Sequence, residues 1–249
     1  MKPLLTLWRR EVADYLVSPV AYILGTVFLV VMGVGFWFLA NVRLTSGASV
    51  YDLLQGLYGG VAWLAMLMVV PLLSMRSFTE EKKSGTIETL LTAPVRDVEV
   101  VLAKYLGVLT VYVMIWAPTL MYFPILNRLN DQPVPMDPGA LTAAYLGVFL
   151  LGAFYLSIGV FCSSLTRNVI LSSISTFAVI SLLFLIGLLP DVTPVPWLRE
   201  LSRPFSAVIH LMQFARGILD TRSLVFYISS TCVMLILTTR VLESRRWRA

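Results

Sequence analysis

RSFTEEKKSGTIETLLTAPVRD, residues 76–97, is a polar island set between two long uncharged apolar runs at 53–75 and 105–127. Each flanking run is long enough to cross a bilayer as a helix, because roughly 20 residues at ~1.5 Å per residue cover a ~30 Å hydrocarbon core. The reading of the island therefore decides the fold. Charges concentrated in one short connection between membrane crossings either face water or meet a soluble partner.

Working outward, four further uncharged runs lie at 20–40, 141–163, 168–190 and 223–239. Composition agrees: 58% apolar residues, 13% charged and a mean hydropathy of +0.83 exclude a soluble globular domain of 249 residues. Lipid-facing backbone must satisfy its own polar groups, so runs of this length predict an all-α membrane protein of six spans, a single domain over 1–249. The last run counts only 17 residues, and its ends are expected to reach the interfaces through Arg222 and Arg240.

Basic residues set the expected orientation. With both termini inside, 13 of the 19 Lys and Arg are cytoplasmic, among them Arg9, Arg10, Arg76, Lys82, Lys83, Lys104 and the C-terminal arginines. Four of the six external ones, Arg199, Arg203, Arg216 and Arg222, share one long loop where the bias is weaker. Both termini are predicted cytoplasmic. The net charge of +5 then reads as topology and contact with anionic lipid; no basic-aromatic stripe suits nucleic acid. Cys162 and Cys232, both within apolar spans and without a CxxC or His-rich setting, read as small buried apolar side chains. No cleaved signal peptide is expected, since the first apolar run is of spanning length and an amphipathic segment precedes it.

That amphipathic segment, 3–17, places Leu4, Leu5, Trp8, Val12, Tyr15 and Leu16 on one helical face, with Arg9, Arg10, Glu11 and Asp14 largely elsewhere. It is expected in the interface plane, as an anchor or as a docking element. Pro19 suits the start of the first span. Gly56 and Gly60 have small-xxx-small spacing for close helix approach, and Pro71, Pro118 and Pro124 are expected to kink or cap spans two and three. Residues 127–139 read as an irregular loop. Ser172, Ser175 and Thr176 share a face of span five, for a polar route or, more commonly, hydrogen bonds between helices. In the external segment 191–222, two short amphipathic helices are expected. WLREL supplies the first; the second carries a stripe of Phe205, Val208, Ile209 and Met212, with Gly217 as its stop and Asp220 as N-cap of span six. Apolar stripes at membrane level imply that this loop dips back into the outer leaflet.

Catalytic constellations are missing from the sequence. There is no GxxxxGK[ST], HExxH or GxSxG, and no acidic or basic residue falls within the core of a span. His210, the only histidine, reads as an interfacial polar side chain more readily than as a titrating switch. The chain is predicted not to be an enzyme and to bind no cofactor or metal. In the island, a short helix is expected from Phe78, with Ser77 or Thr79 as N-cap, Glu80 and Glu81 in its first turn, Lys82 and Lys83 following, and Gly85 as its break. Thr86 then caps a second turn lined by Ile87, Leu90 and Leu91, Pro94 stops it, and Asp97 with Glu99 restarts a helix into span three. A charged helix tethered to spans at both ends can carry a push from a soluble machine; as a solvated loop it would do nothing.

MRSFTEEKKSGTIETLLTAPV resembles the signature between spans two and three of ABC-2 type permeases, and is especially similar to the gliding-motility-associated permease subfamily. SPVAYILGTVF, FARGILDTRSLVFY and RVLESRRW resemble the same subfamily, so the likeness covers nearly the whole chain. The resemblance implies a cytoplasmic coupling helix that docks on a separate ATPase, and an external re-entrant helical hairpin before span six. Carried onto this sequence, the docking residues are Glu80, Glu81, Lys82, Lys83, Gly85, Thr86 and Glu88. It further implies a permease in the bacterial cytoplasmic membrane, paired with a second copy or a homologous subunit and served by ATP-Mg on the partner ATPase. Membrane lipids and an external accessory protein complete the expected partners. The alternative is an ATPase-coupled scaffold or mechanotransmitter acting on an external protein without moving solute. Substrate contacts have no comparable motif.

Overall fold

The computed structural model describes residues 2–45, 50–86, 95–129, 137–192, 197, 200 and 206–246, and among them every regular element is helical. Among the described residues six helices are long and apolar enough to cross a membrane: Pro19–Val42, Asp52–Ser84, Asp97–Leu126, Pro138–Leu165, Val169–Leu189 and Thr221–Ser244. They fall on the six expected runs. The sixth is longer than its apolar core, because α11 (Thr221–Arg246) stays helical through the polar residues at both ends. Arg240 is therefore inside the helix, while Arg222 lies in its first turn.

The remaining elements run in order. α1 (Lys2–Val17) precedes α2 (Pro19–Thr45), the first span. The second span is α3 (Val50–Gly56), a π turn at Leu57–Val61 and α4 (Ala62–Ser74), followed after Met75 by α5 (Arg76–Ser84). The third is α6 (Asp97–Trp116), a 3-10 segment at Ala117–Met121 and α7 (Tyr122–Leu129). Then come α8 (Pro138–Leu165), α9 (Val169–Val192) and the short α10 (Ala207–Ala215). Pro118 explains the 3-10 segment, since a ring without an N–H breaks the i→i−4 ladder there. Residues 130–136 of the expected loop lie outside the described residues; Asp137 closes it by accepting Gly139 N at 2.8 Å.

The bundle is built around α8. Its apolar window is 83% buried, against 17% for the first, fifth and sixth spans. Lipid gives helices no hydrophobic reason to associate, so close packing has to do it, and glycine permits the closest approach. Along α8 a Cβ at Gly147, Gly152 or Gly159 would occupy space filled by Phe214, Tyr112 and Ser74 respectively. Tyr112 adds a hydrogen bond from its hydroxyl to Val148 O at 3.0 Å. The expected pair Gly56 and Gly60 divides: Gly56 abuts Leu39, but nothing lies within reach of a Cβ at Gly60. The π turn at Leu57–Val61, which contains Gly60, shifts the helical register after Gly56, and Gly60 is exposed on the outer surface.

α10 packs against the first half of α8, where Phe214 meets Gly147 and Gly217 meets Ala140. It is buried more completely than an amphipathic stripe: Ala207, Val208, His210, Leu211, Phe214 and Ala215 are all inside. Phe205 and most of WLREL lie outside the described residues. Ser206 caps α10 by accepting Ile209 N at 3.2 Å, Gly217 ends it at φ 79°, and Asp220 accepts Arg222 N at 2.9 Å to start α11. His210 is buried within the protein. The N-terminus of α11 covers it, with Ser223 Oγ at 2.7 Å from Nδ1 and the rings of Phe226 and Tyr227 alongside.

Three smaller expectations change. The hydroxyls of Ser175 and Thr176 donate to Ser172 O in their own helix, at 2.9 and 2.8 Å, rather than across to a neighbour. Cys162 is buried, but Cys232 is exposed on the outer face of α11. Helix α1 turns Glu11 inward and leaves Leu5 and Leu16 outward, because it packs lengthwise on α6, which offers a counter-charge at Lys104 and room at Gly107.

Candidate functional site

The polar island folds as α5, and the local sequence explains how it starts. Pro71 lies inside α4, which stays helical to Ser74: Met75 N donates to Pro71 O at 3.0 Å, and α5 follows at Arg76. Neither Ser77 nor Thr79 is the cap. Thr79 donates its hydroxyl back to Met75 O, and the first-turn amides are served from another helix. Ser163, near the end of α8, accepts Phe78 N at 2.9 Å and Thr79 N at 3.3 Å while donating to Met75 O at 3.3 Å. A serine hydroxyl has one donor and two acceptor positions, and here all are used. Gly85 ends the helix in the left-handed region at φ 76°, as its sequence position indicates.

α5 has two faces of opposite character. Phe78 is buried in a cluster with Val100, Val101, Val160 and Leu242. Lys82, adjacent in space to the last turn of α8, donates to Ser164 O, where the carbonyl end of that helix favours a cation. Glu81 also turns inward, to Lys104 of α6 at 2.8 Å. Glu80, Lys83, Ser84, Gly85 and Thr86 face outward. Arg76 lies at the rim, 3.2 Å from Glu80. Of the seven expected docking residues, the structure thus brings Glu81 and Lys82 into the protein and leaves Glu80, Lys83, Gly85 and Thr86 on its surface. Glu88 lies outside the described residues, as do Ile87, Leu90, Leu91 and Pro94. Helix α6 restarts at Asp97, with Arg96 N donating to the Glu99 carboxylate at 3.1 Å.

Lys104 was absent from the expected site, and it is the most connected charge in it. Its ammonium lies 2.7 Å from Glu11 and 2.8 Å from Glu81, and 5.3 Å above the Phe78 ring, with only 4% of the side chain exposed. Three elements, α1, α5 and α6, therefore meet at one atom. Burial pushes the Glu11 carboxyl above its usual range, and Lys104 only partly offsets this. Two further bonds tie α1 in place: Trp8 Nε1 donates to Thr110 Oγ1 at 3.0 Å, and the Tyr15 hydroxyl donates to Leu73 O at 2.9 Å. A cleft of about 160 Å³ opens between α1 and α5, flanked by Arg10, Asp14, Tyr15, Arg76 and Glu80. A sequence signal for Lys104 existed: it sits on the stripe Val100, Val101, Val108 and Val111, where an apolar residue is due.

Chemically this is a buried ion-pair and hydrogen-bond seat beneath a charged outer face. Among the described residues no group of three His, Cys, Asp or Glu could hold a metal ion. α5 lies at the C-terminal end of α8 and α10 at its N-terminal half, so the two polar-ended features sit at opposite ends of a helix 28 residues, or about 40 Å, long. A family model described as ABC-2 family transporter protein matches residues 40–242. No curated protein matches the chain.

Proposed function

The chain belongs to the ABC-2 family of transporter proteins, and on that footing we propose that it is the permease subunit of an ABC transporter of the gliding-motility-associated subfamily, driven through α5 by a separate ATPase. ATP-Mg resides on that partner. The permease works as a dimer with a second copy or a homologous subunit, in the bacterial cytoplasmic membrane with both termini cytoplasmic. α5 is then the cytoplasmic coupling helix, and α10 with the segment before it is the external re-entrant hairpin; their placement at opposite ends of α8 supports assigning them to opposite sides.

One observation carries this reading. α5 presents a charged outer face while its inner face is bonded to α8 through Ser163 and Ser164 and to α6 through Lys104. A displacement of α5 cannot stay local, because buried bonds to two spans must move with it or break. Closure of two ATPases around ATP would push α5, and α8, the helix that contacts nearly every other span, would redistribute the push through the bundle. The outward residues Glu80, Lys83, Gly85 and Thr86 make the docking contact, while Glu81 and Lys82 hold the helix in its seat.

Co-purification tests the proposal. Glu80→Lys combined with Lys83→Glu reverses the exposed face without touching the seat. It is expected to lose the ATPase that accompanies the parent protein while keeping the parent melting temperature. Retention of the ATPase with full ATP-dependent activity would count against docking at α5.

A further inference from the structure

We infer that Lys104 is a positioning residue that links the N-terminal helix to the polar helix by sharing one ammonium between Glu11 and Glu81, and that it gives up one of them when α5 moves. The consequence for energy coupling rests on the docking reading above; the shared pairing itself belongs to the resting protein.

The stoichiometry is the reason. A purely structural buried pair would match one cation with one anion. Here two carboxylates from two different elements converge on one lysine at 2.7 and 2.8 Å, leaving the cluster one negative charge in excess. Glu81 holds Lys104 through Oε1 alone; its Oε2 is buried without a hydrogen bond. Release of either carboxylate leaves a neutral one-to-one pair, whereas release of both strands a buried ammonium, which is severely unfavourable. Such a cluster has three low-energy arrangements, as a latch requires, and one forbidden one. Space for the departing group exists in the cleft beside both glutamates. The other charges facing that cleft are Arg10 and Asp14 of α1 and Arg76 and Glu80 of α5. Arg76 is occupied by Glu80 at 3.2 Å and Arg10 lies 4.0 Å from Asp14, so neither competes with Lys104 at rest. Helix α1 is thereby a clutch on α5: engaged through Lys104 at rest, free after release.

The test measures the distance between spin labels at Ala13→Cys and Ser84→Cys, both exposed, in the full chain in nanodiscs with Cys162 and Cys232 replaced by alanine. The parent is expected to give one narrow distance. Glu11→Gln and Glu81→Gln each break the bridge, so each should add a second, longer distance population that the parent lacks, while leaving Lys104 paired and the melting temperature close to the parent's. The double variant should lose far more thermal stability than the two single losses combined, as should Lys104→Met relative to Lys104→Arg, which restores both readouts. Unchanged distances in the single variants, or additive stability in the double, would overturn the inference. With the ATPase and trapped ATP added, the parent is expected to populate the longer distance. If the ATPase fails to bind the parent, the docking reading falls, and the nucleotide-free distances still decide the latch.

Discussion

Ser163 Oγ accepts the Phe78 amide at 2.9 Å, across 85 residues of sequence, so the polar helix is capped by the span it rests on. A cap borrowed from a neighbour makes the start of α5 depend on tertiary structure. Ser163→Ala leaves the amides of Phe78 and Thr79 buried without this acceptor, and is expected to cost about 1–3 kcal/mol. Thermal unfolding in detergent measures the loss, and hydrogen exchange should show faster opening confined to 76–84.

Lys82 and Lys83 are neighbours in sequence with opposite fates. Lys82 is buried and donates to Ser164 O, while Lys83 is exposed. Lys83→Ala is expected to change stability by less than about 0.5 kcal/mol, the usual range for surface positions, and Lys82→Ala to destabilise by about 1–3 kcal/mol through the lost bond to a helix-end carbonyl. Equal effects of the two changes would show that the inward face of α5 is not seated as described.

Glycines on α8 and on the second span separate in the same way. A Cβ at Gly152 collides with the Tyr112 ring, whereas one at Gly60 meets nothing. Gly152→Val is expected to lower stability by about 1–3 kcal/mol or more by overpacking, and Gly60→Ala to be neutral or slightly stabilising. Melting temperatures of the two variants are the check.

Glu11 sets a pH dependence of unusual sign. Burial raises its carboxyl above the unfolded value of 4.5, so the folded protein binds this proton more tightly than the unfolded chain does. Its contribution to stability is therefore greatest at low pH and is lost as pH rises from 4.5 through the raised folded value. Against Glu11→Gln, which cannot titrate, the parent is expected to lose relative stability on going from acid to neutral pH. Denaturation of both proteins at several pH values across this window measures the difference, and a gain with rising pH would contradict the assignment.

Much of this fold was legible because hydropathy and local signals agree. All six spans follow from uncharged run length, and Gly85, Asp97, Gly217 and Asp220 mark helix limits where their side chains or backbone freedom require them. Legibility ended where a residue's partner is distant in sequence. Glu11 looked like part of a solvated polar face, yet it sits with Leu4, Trp8 and Tyr15 on the stripe that α6 covers, and only Lys104, 93 residues away, makes that placement stable. Ser77 and Thr79 looked like caps because nothing local reveals that Ser163 would do the work. The burial of His210 was not legible because the packing of α11 over α10 is a tertiary fact.

The central claim is that energy from a separate ATPase enters the membrane through the outer face of α5. Cysteine cross-linking from Ser84→Cys, in a background lacking Cys162 and Cys232, to the co-assembled ATPase in native membranes tests it most directly. The expected result is a permease–ATPase adduct whose yield changes with ATP, with Ser84→Cys shielded from impermeant thiol reagents added outside the cell. Labelling of that cysteine from outside, or an assembled complex in which it never reaches the ATPase, would contradict it.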